Sequence, residues 1–168
     1  MRRPHLAIAL LLAFAGSATA DTLAPLGKGW SRYANARFGT SLEVPTGLFE
    51  ADPPPENGDG QSFRAADGAR LQVYGTYGLS AIMQPFQAYK EDLLKHAEAE
   101  GLAVTYRRGG DTWFVYSGLK GDDIVYAKAI EGCEAVHEFR IVYPSERKRF
   151  YDPIVTRLSR TLRCRASR

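Results

Sequence analysis

Apolar positions along this chain fall into two helical stripes and a longer series of alternating runs, cut by glycine and proline. Phe86, Tyr89, Leu93, Leu94 and Ala97 recur at helical spacing, with Lys90, Glu91, Asp92, Lys95, Glu98 and Glu100 filling most positions between them. That pattern predicts an amphipathic helix with one face against a flat surface. Pro85 suits its first turn, Glu91 and Lys95 form a favourable i,i+4 pair, and Gly101 is placed to end it. Ile154, Val155, Leu158 and Leu162 form the second stripe, after Pro144. Ser145 reads as its N-cap, and Asp152-Pro153 as a second cap followed by proline at a first helical position.

Alternation marks the strands. Leu42 and Val44 alternate with Ser41 and Glu43 before Pro45, and residues 61–64 and 70–75 flank the turn Ala66-Asp67-Gly68. Residues 46–60, rich in proline, glycine and acidic residues, read as a loop, and residues 21–29 as a short arm. Residues 102–107, 112–117, 123–130 and 134–143 predict four strands separated by turns too short for anything but antiparallel neighbours. Trp113-Phe114-Val115-Tyr116 and Ile124-Val125-Tyr126-Ala127 are apolar on both parities, so both faces of the sheet must be covered. The fold class expected is α+β: an α/β/α sandwich around a mainly antiparallel sheet of about six to seven strands, in a single domain spanning 21–168.

The N-terminus is of a different kind. Arg2 and Arg3, the apolar run Leu6 to Ala15, and Ala18-Thr19-Ala20 before Asp21 match a cleavable export signal over residues 1–20. The apolar run is about half the length a membrane span needs. A soluble periplasmic or secreted product is expected, with no membrane span.

Cys133 and Cys164 are the only cysteines of the 168 residues, and in an oxidising compartment they are expected to pair. The bridge would contribute ~3 kcal/mol by loop closure.

Composition, at 45% hydrophobic and 24% charged, is that of a globular protein and excludes a disordered tail, a collagen or a coiled coil. The formal charge of +3 loses two arginines with the signal, which excludes a polycation built to coat nucleic acid. What remains is unevenly spread. Residues 145–168 carry Arg147, Lys148, Arg149, Arg157, Arg160, Arg163, Arg165 and Arg168 against Glu146 and Asp152, a net of +6, while the rest of the processed chain stands at −5. A solvated helix face is the ordinary reading. The sharper one has Arg157, Arg160 and Arg163 docking to an unknown acidic protein or anionic envelope component.

Tyr33, Arg37-Phe38-Gly39, Leu42 and Val44-Pro45 resemble the opening of PsbP-like domains, and Tyr151-Asp152-Pro153-Ile154-Val155 with Leu158 and Leu162 is similar to the terminal helix of exported bacterial members. The resemblance spans Tyr33 to Leu162 and implies an α/β/α sandwich and a non-catalytic accessory or binding role. Family members in plants act on the lumenal side of a photosystem, but the matched positions here are scaffold positions, so no site residue is carried over.

Chemistry-bearing motifs are few. No nucleophile elbow, phosphate loop, His-Glu-x-x-His or Gly-x-Gly-x-x-Gly is present. His96 reads as an exposed helix residue. His137 shares a strand face with Ala135, Phe139, Ile141 and Tyr143, which favours a satisfied core histidine over a site for a small envelope hydrolase. Glu138 and Arg140, on the opposite face, read as a cross-strand ion-pair set at the sheet margin, with ligand binding as the alternative. Asp52, Glu56 and Asp59 could supply a calcium site in a glycine-bearing loop, but without EF-hand spacing. The expectation is an exported non-catalytic binding or accessory protein of the cell envelope without a cofactor. A hydrolase around His137 and a calcium-dependent module on the 52–60 loop are the alternatives.

Overall fold

The structure, a computed structural model, describes residues 20–77 and 85–165. The expected signal falls outside the described residues except for Ala20, as does Arg168 of the basic segment. Strands β1 (Thr22–Gly27), β2 (Trp30–Ala34), β3 (Thr40–Val44), β4 (Phe49–Ala51), β5 (Gly60–Ala65) and β6 (Arg70–Thr76) precede helix α1 (Phe86–Ala99). Strands β7 (Ala103–Gly109), β8 (Trp113–Lys120), β9 (Asp123–Gly132) and β10 (Ala135–Pro144) follow. A 3-10 turn over Ser145–Arg147 then leads into α2 (Lys148–Thr161) and the two-residue β11 (Arg163–Cys164).

The strands make two antiparallel sheets, one of seven strands in the order β4-β5-β6-β10-β9-β8-β7 and one of four in the order β1-β2-β3-β11. The four-strand run β7 to β10 forms as its short turns require. Gly121 at φ +61° closes one of these turns, and Gly101 at φ +89° ends α1 as its position predicts. At the β9–β10 turn two non-glycine residues, Cys133 at φ +48° and Glu134 at φ +64°, take the left-handed conformation that a two-residue hairpin loop needs.

Four readings are corrected by the structure. Residues read as an arm form β1, which pairs with β2 from Thr22↔Ala34 onward. Phe49–Ala51, inside the stretch read as loop, pairs with β5 as an edge strand. The single expected sheet is joined by a second one, because β3 finds β2 on one side and β11 on the other. Asp152-Pro153 starts no new helix. α2 runs through Pro153, whose missing N–H costs one backbone hydrogen bond on the exposed side, while Tyr151, Val155 and Leu158 are buried on the other.

Strand β10 shows how the core divides. Phe139, Ile141 and Tyr143 belong to one apolar cluster with Tyr151, Val155, Leu158 and Leu162 of the α2 segment and with Leu42 and Val44 of β3. Val136, one position out of phase, belongs to a second cluster with Phe86 and Ala97 of α1 and with Val125, Ala127 and Ala129 of β9. Leu42, Leu71, Phe139, Ile141 and Tyr151 are fully sealed from solvent. Burial of each such side chain stabilises the fold by about 1.5–3 kcal/mol. The two sheets approach closely where β6 carries Gly75, since a Cβ there would strike Phe38 and Thr40.

Candidate functional site

His137 is the first candidate, and the structure closes it off. Its side chain is 0% exposed, directly opposite Gly75 in the β6–β10 register. Nδ1 lies 2.8 Å from Thr40 Oγ1 and Nε2 lies 2.9 Å from the Gly132 carbonyl oxygen. That carbonyl can only accept, so Nε2 carries the proton and Nδ1 accepts from the threonine hydroxyl. Burial also holds the imidazole below its ordinary pKa. A neutral ring with both nitrogens occupied ties β3 to β10. It has no free position for acid, base or metal chemistry, so the hydrolase alternative loses its central residue.

The carboxylates of the 52–60 loop are taken up separately. Asp52 pairs with Arg64, while Asp59 accepts from Arg37 at 2.6 Å and from Asn57 at 2.7 Å. Glu56 is exposed and joins neither pair. Among the described residues, no group of three His, Cys, Asp or Glu side chains converges as metal ligands. Cys133 and Cys164 are joined in a disulfide. The three arginines of the basic segment part company. Arg157 is half-buried, bonded to Glu43 at 2.9 Å with its guanidinium over the Trp30 ring, which makes it a structural clamp. Arg160 and Arg163 remain exposed.

A different site emerges on the α1 side of the larger sheet. The register places Arg64, Arg70 and Val142 in one row, Ser62, Gln72 and Arg140 in the next, and Gly60, Tyr74 and Glu138 in a third. Helix α1 packs with β8, β9 and part of β10 through its apolar cluster, and the rows on β5 and β6 line an open groove beside it. The groove encloses about 780 Å³, with Glu100 at the end of α1 and Lys120 and Asp123 of the β8–β9 turn at one side. That volume is within the range of about 300–1,000 Å³ in which small-molecule sites fall.

Charge in the groove is incompletely balanced. Arg140 donates through both terminal nitrogens to Glu100, at 3.1 and 3.2 Å, and Lys120 reaches the same carboxylate oxygen at 3.6 Å. These cations hold the Glu100 carboxyl below its ordinary pKa. Arg140 Nε is buried and has no hydrogen-bond partner. Arg70, exposed at the rim, is paired with no carboxylate among the described residues. A buried guanidinium N–H without an acceptor is costly unless water or a ligand supplies one. The expected cross-strand ion-pair set does not form, because Glu100 at the C-terminal end of α1 captures Arg140.

Glu138 instead lies 2% exposed beneath α1. Tyr74 donates to one of its oxygens at 2.6 Å and Tyr89 of α1 donates to the other. Among the described residues no cation pairs with it, and burial raises its pKa above the ordinary 4.5. Burial and the nearby carboxylate push the Tyr116 phenol up to about 12 and raise those of Tyr74 and Tyr89 as well, so all three hydroxyls stay protonated. The folded protein therefore holds a proton that the unfolded chain releases once pH passes about 4.5, and stability falls as pH rises through that window. Glu138→Gln should remove this loss. Urea unfolding across pH should find the variant more stable than wild type at neutral pH and the two converging under acid conditions; parallel curves would contradict the assignment.

Two of the solved structures with a similar chain trace are bacterial proteins. The solution structure of cyanobacterial PsbP, CyanoP, from Synechocystis sp. PCC 6803 is 12% identical and superposes with a TM-score of 0.58, covering 83% of this chain and 95% of that one. The fold is PsbP-like. The crystal structure of PA94 from Pseudomonas aeruginosa, a protein of unknown function, is 16% identical with a TM-score of 0.53, covering 89% of this chain and all of that one. No family model matches the chain, and no curated protein matches it. At these identities the likeness concerns the PsbP-like fold alone.

The groove residues of β6 escaped the sequence reading for a simple reason. Arg70, Gln72 and Tyr74 alternate with the sealed Leu71 and Val73, which is how an ordinary solvent-facing strand looks. Arg140, already singled out beside Glu138 in a largely apolar strand, was the available signal.

Proposed function

We propose that the protein is an exported, non-catalytic binding or accessory protein of the cell envelope, which holds an anionic group of its ligand in the groove beside α1. Residues 1–20 are its cleaved signal, and 21–168 form one domain, an α/β/α sandwich in which the helices lie on opposite sides of the larger sheet. The division of the core into an α1 cluster and an α2 cluster supports that architecture. The disulfide is in keeping with an oxidising compartment. Among the described residues no helix is long and apolar enough to cross a membrane.

One observation carries the ligand assignment. The groove presents the cations Arg64, Arg70, Lys120 and Arg140 against Asp52, Glu100 and Asp123, and its spare donors are the Arg70 guanidinium and the buried Arg140 Nε. Planar guanidinium forks match carboxylate and phosphate oxygens. Titration of the processed protein with inorganic phosphate and with succinate should raise its melting temperature. The double substitution Arg70→Gln, Arg140→Gln should weaken that binding by about 100-fold or more, since it removes two charge-assisted bonds of roughly 1.5–3 kcal/mol each. Unaltered binding by the double variant, or no binding by wild type, would sink the assignment.

A further inference from the structure

The opposite side of the larger sheet carries a second, independent pattern. There β7, β8 and β9 place Arg108, Val115 and Lys128 in one row and Tyr106, Ser117 and Tyr126 in the next. Val115 is only 5% exposed although it belongs to neither core cluster. Its cross-strand neighbours in the register are the long side chains of Arg108 and Lys128. Lys128 donates to the Ser159 carbonyl of α2 at 2.6 Å, where the positive field of Arg163 reaches it. The disulfide fixes this arrangement by bonding Cys164, next to Arg163, to the β9–β10 turn.

Among the described residues of β7, β8 and β9, no acidic side chain lies on this face. Asp123 and Glu131 share the parity of Val125, Ala127 and Ala129, which belong to the α1 cluster on the other side. Among the described residues no carboxylate pairs with Arg108, Lys128 or Arg163. Tyr106 and Leu119 are 48% and 44% exposed. The face ends at β7, the last strand of the sheet, whose outer N–H and C=O groups have no strand beside them among the described residues.

We infer that an extended acidic segment of a partner protein docks along β7, with its carboxylates toward Arg108, Lys128 and Arg163. The open edge decides between a polypeptide and a lipid surface: main-chain groups in a row are hydrogen-bond partners for a strand, and headgroups have no matching spacing. The cations add selectivity. Arg107 and Arg108, on opposite faces of β7, repel a second copy of the same strand and attract one bearing carboxylates.

The probe is a synthetic peptide of alternating Glu and Thr, compared with its Lys-Thr counterpart and with phosphatidylglycerol vesicles. The processed protein should bind the Glu-Thr peptide in a salt-sensitive way and not the Lys-Thr peptide, with amide NMR shifts centred on residues 106–109. The double substitution Arg108→Gln, Arg163→Gln should weaken binding about tenfold. Arg149→Gln, at the far end of α2, and the groove variant Arg70→Gln should leave it unchanged, which separates this surface from the groove. Equal loss with Arg149→Gln, binding of the Lys-Thr peptide, or binding to vesicles but not to the Glu-Thr peptide would overturn the inference.

Discussion

Replacing both Cys133 and Cys164 by serine is expected to lower the unfolding free energy by about 3–4 kcal/mol, the loop-closure value for a bridge of this span. The two residues are 31 apart in sequence, and the closed loop contains all of β10 and α2. Without the bond the only strand pairing that anchors the chain after α2, among the described residues, is the two-residue contact of β11 with β3. Loss should therefore be felt first at the C-terminal end of α2, and Arg163 should lose its place beside Lys128. Urea unfolding of the double-serine protein measures the first effect. A change below about 1 kcal/mol, inside the scatter of surface substitutions and small cap effects, would show that the bond is incidental to the fold.

His137→Ala should be nearly as damaging, at about 3 kcal/mol, while leaving ligand binding by the folded protein intact. The substitution removes a fully buried ring and strands two partners, the Thr40 hydroxyl and the Gly132 carbonyl. Each buried group left without a partner costs about 1–3 kcal/mol, and the vacated space adds to this. A pH signature accompanies the loss. Because burial keeps the folded imidazole neutral while the unfolded one titrates near 6.5, wild type loses stability as pH falls below that value, and the alanine variant should lack this component. A stable variant with reduced ligand affinity would return His137 to the functional site.

Local signals were readable in the sequence and long-range ones were not. The helical stripe from Phe86 to Ala97, the stop at Gly101 and the strands from 103 to 144 formed where spacing and turn residues placed them. The four-stranded sheet escaped because its members are weak alone: β1 contains Pro25 and is exposed throughout, β11 has two residues, and both are strands only through their neighbours. Parity along β10 correctly separated His137 from Glu138 and Arg140. It could not say that α1 would bury Glu138 under Tyr89, or that Glu100, forty residues before Arg140, would become that arginine's partner. Arg157 illustrates the same limit. In sequence it is one basic residue among eight, and only the packing of α2 on β3 shows that Glu43 and Trp30 occupy it.

The claim that the groove, and not the buried histidine, is where this protein meets its ligand is tested most directly by an amide chemical-shift map. The isotope-labelled processed protein would be titrated with succinate and, separately, with inorganic phosphate. Perturbations should cluster on Ser62, Arg64, Arg70, Gln72 and Arg140, with the Arg140 Nε–H signal shifting as it gains an acceptor. Shifts centred on His137 and Thr40, or none in the groove at saturating anion, would contradict it.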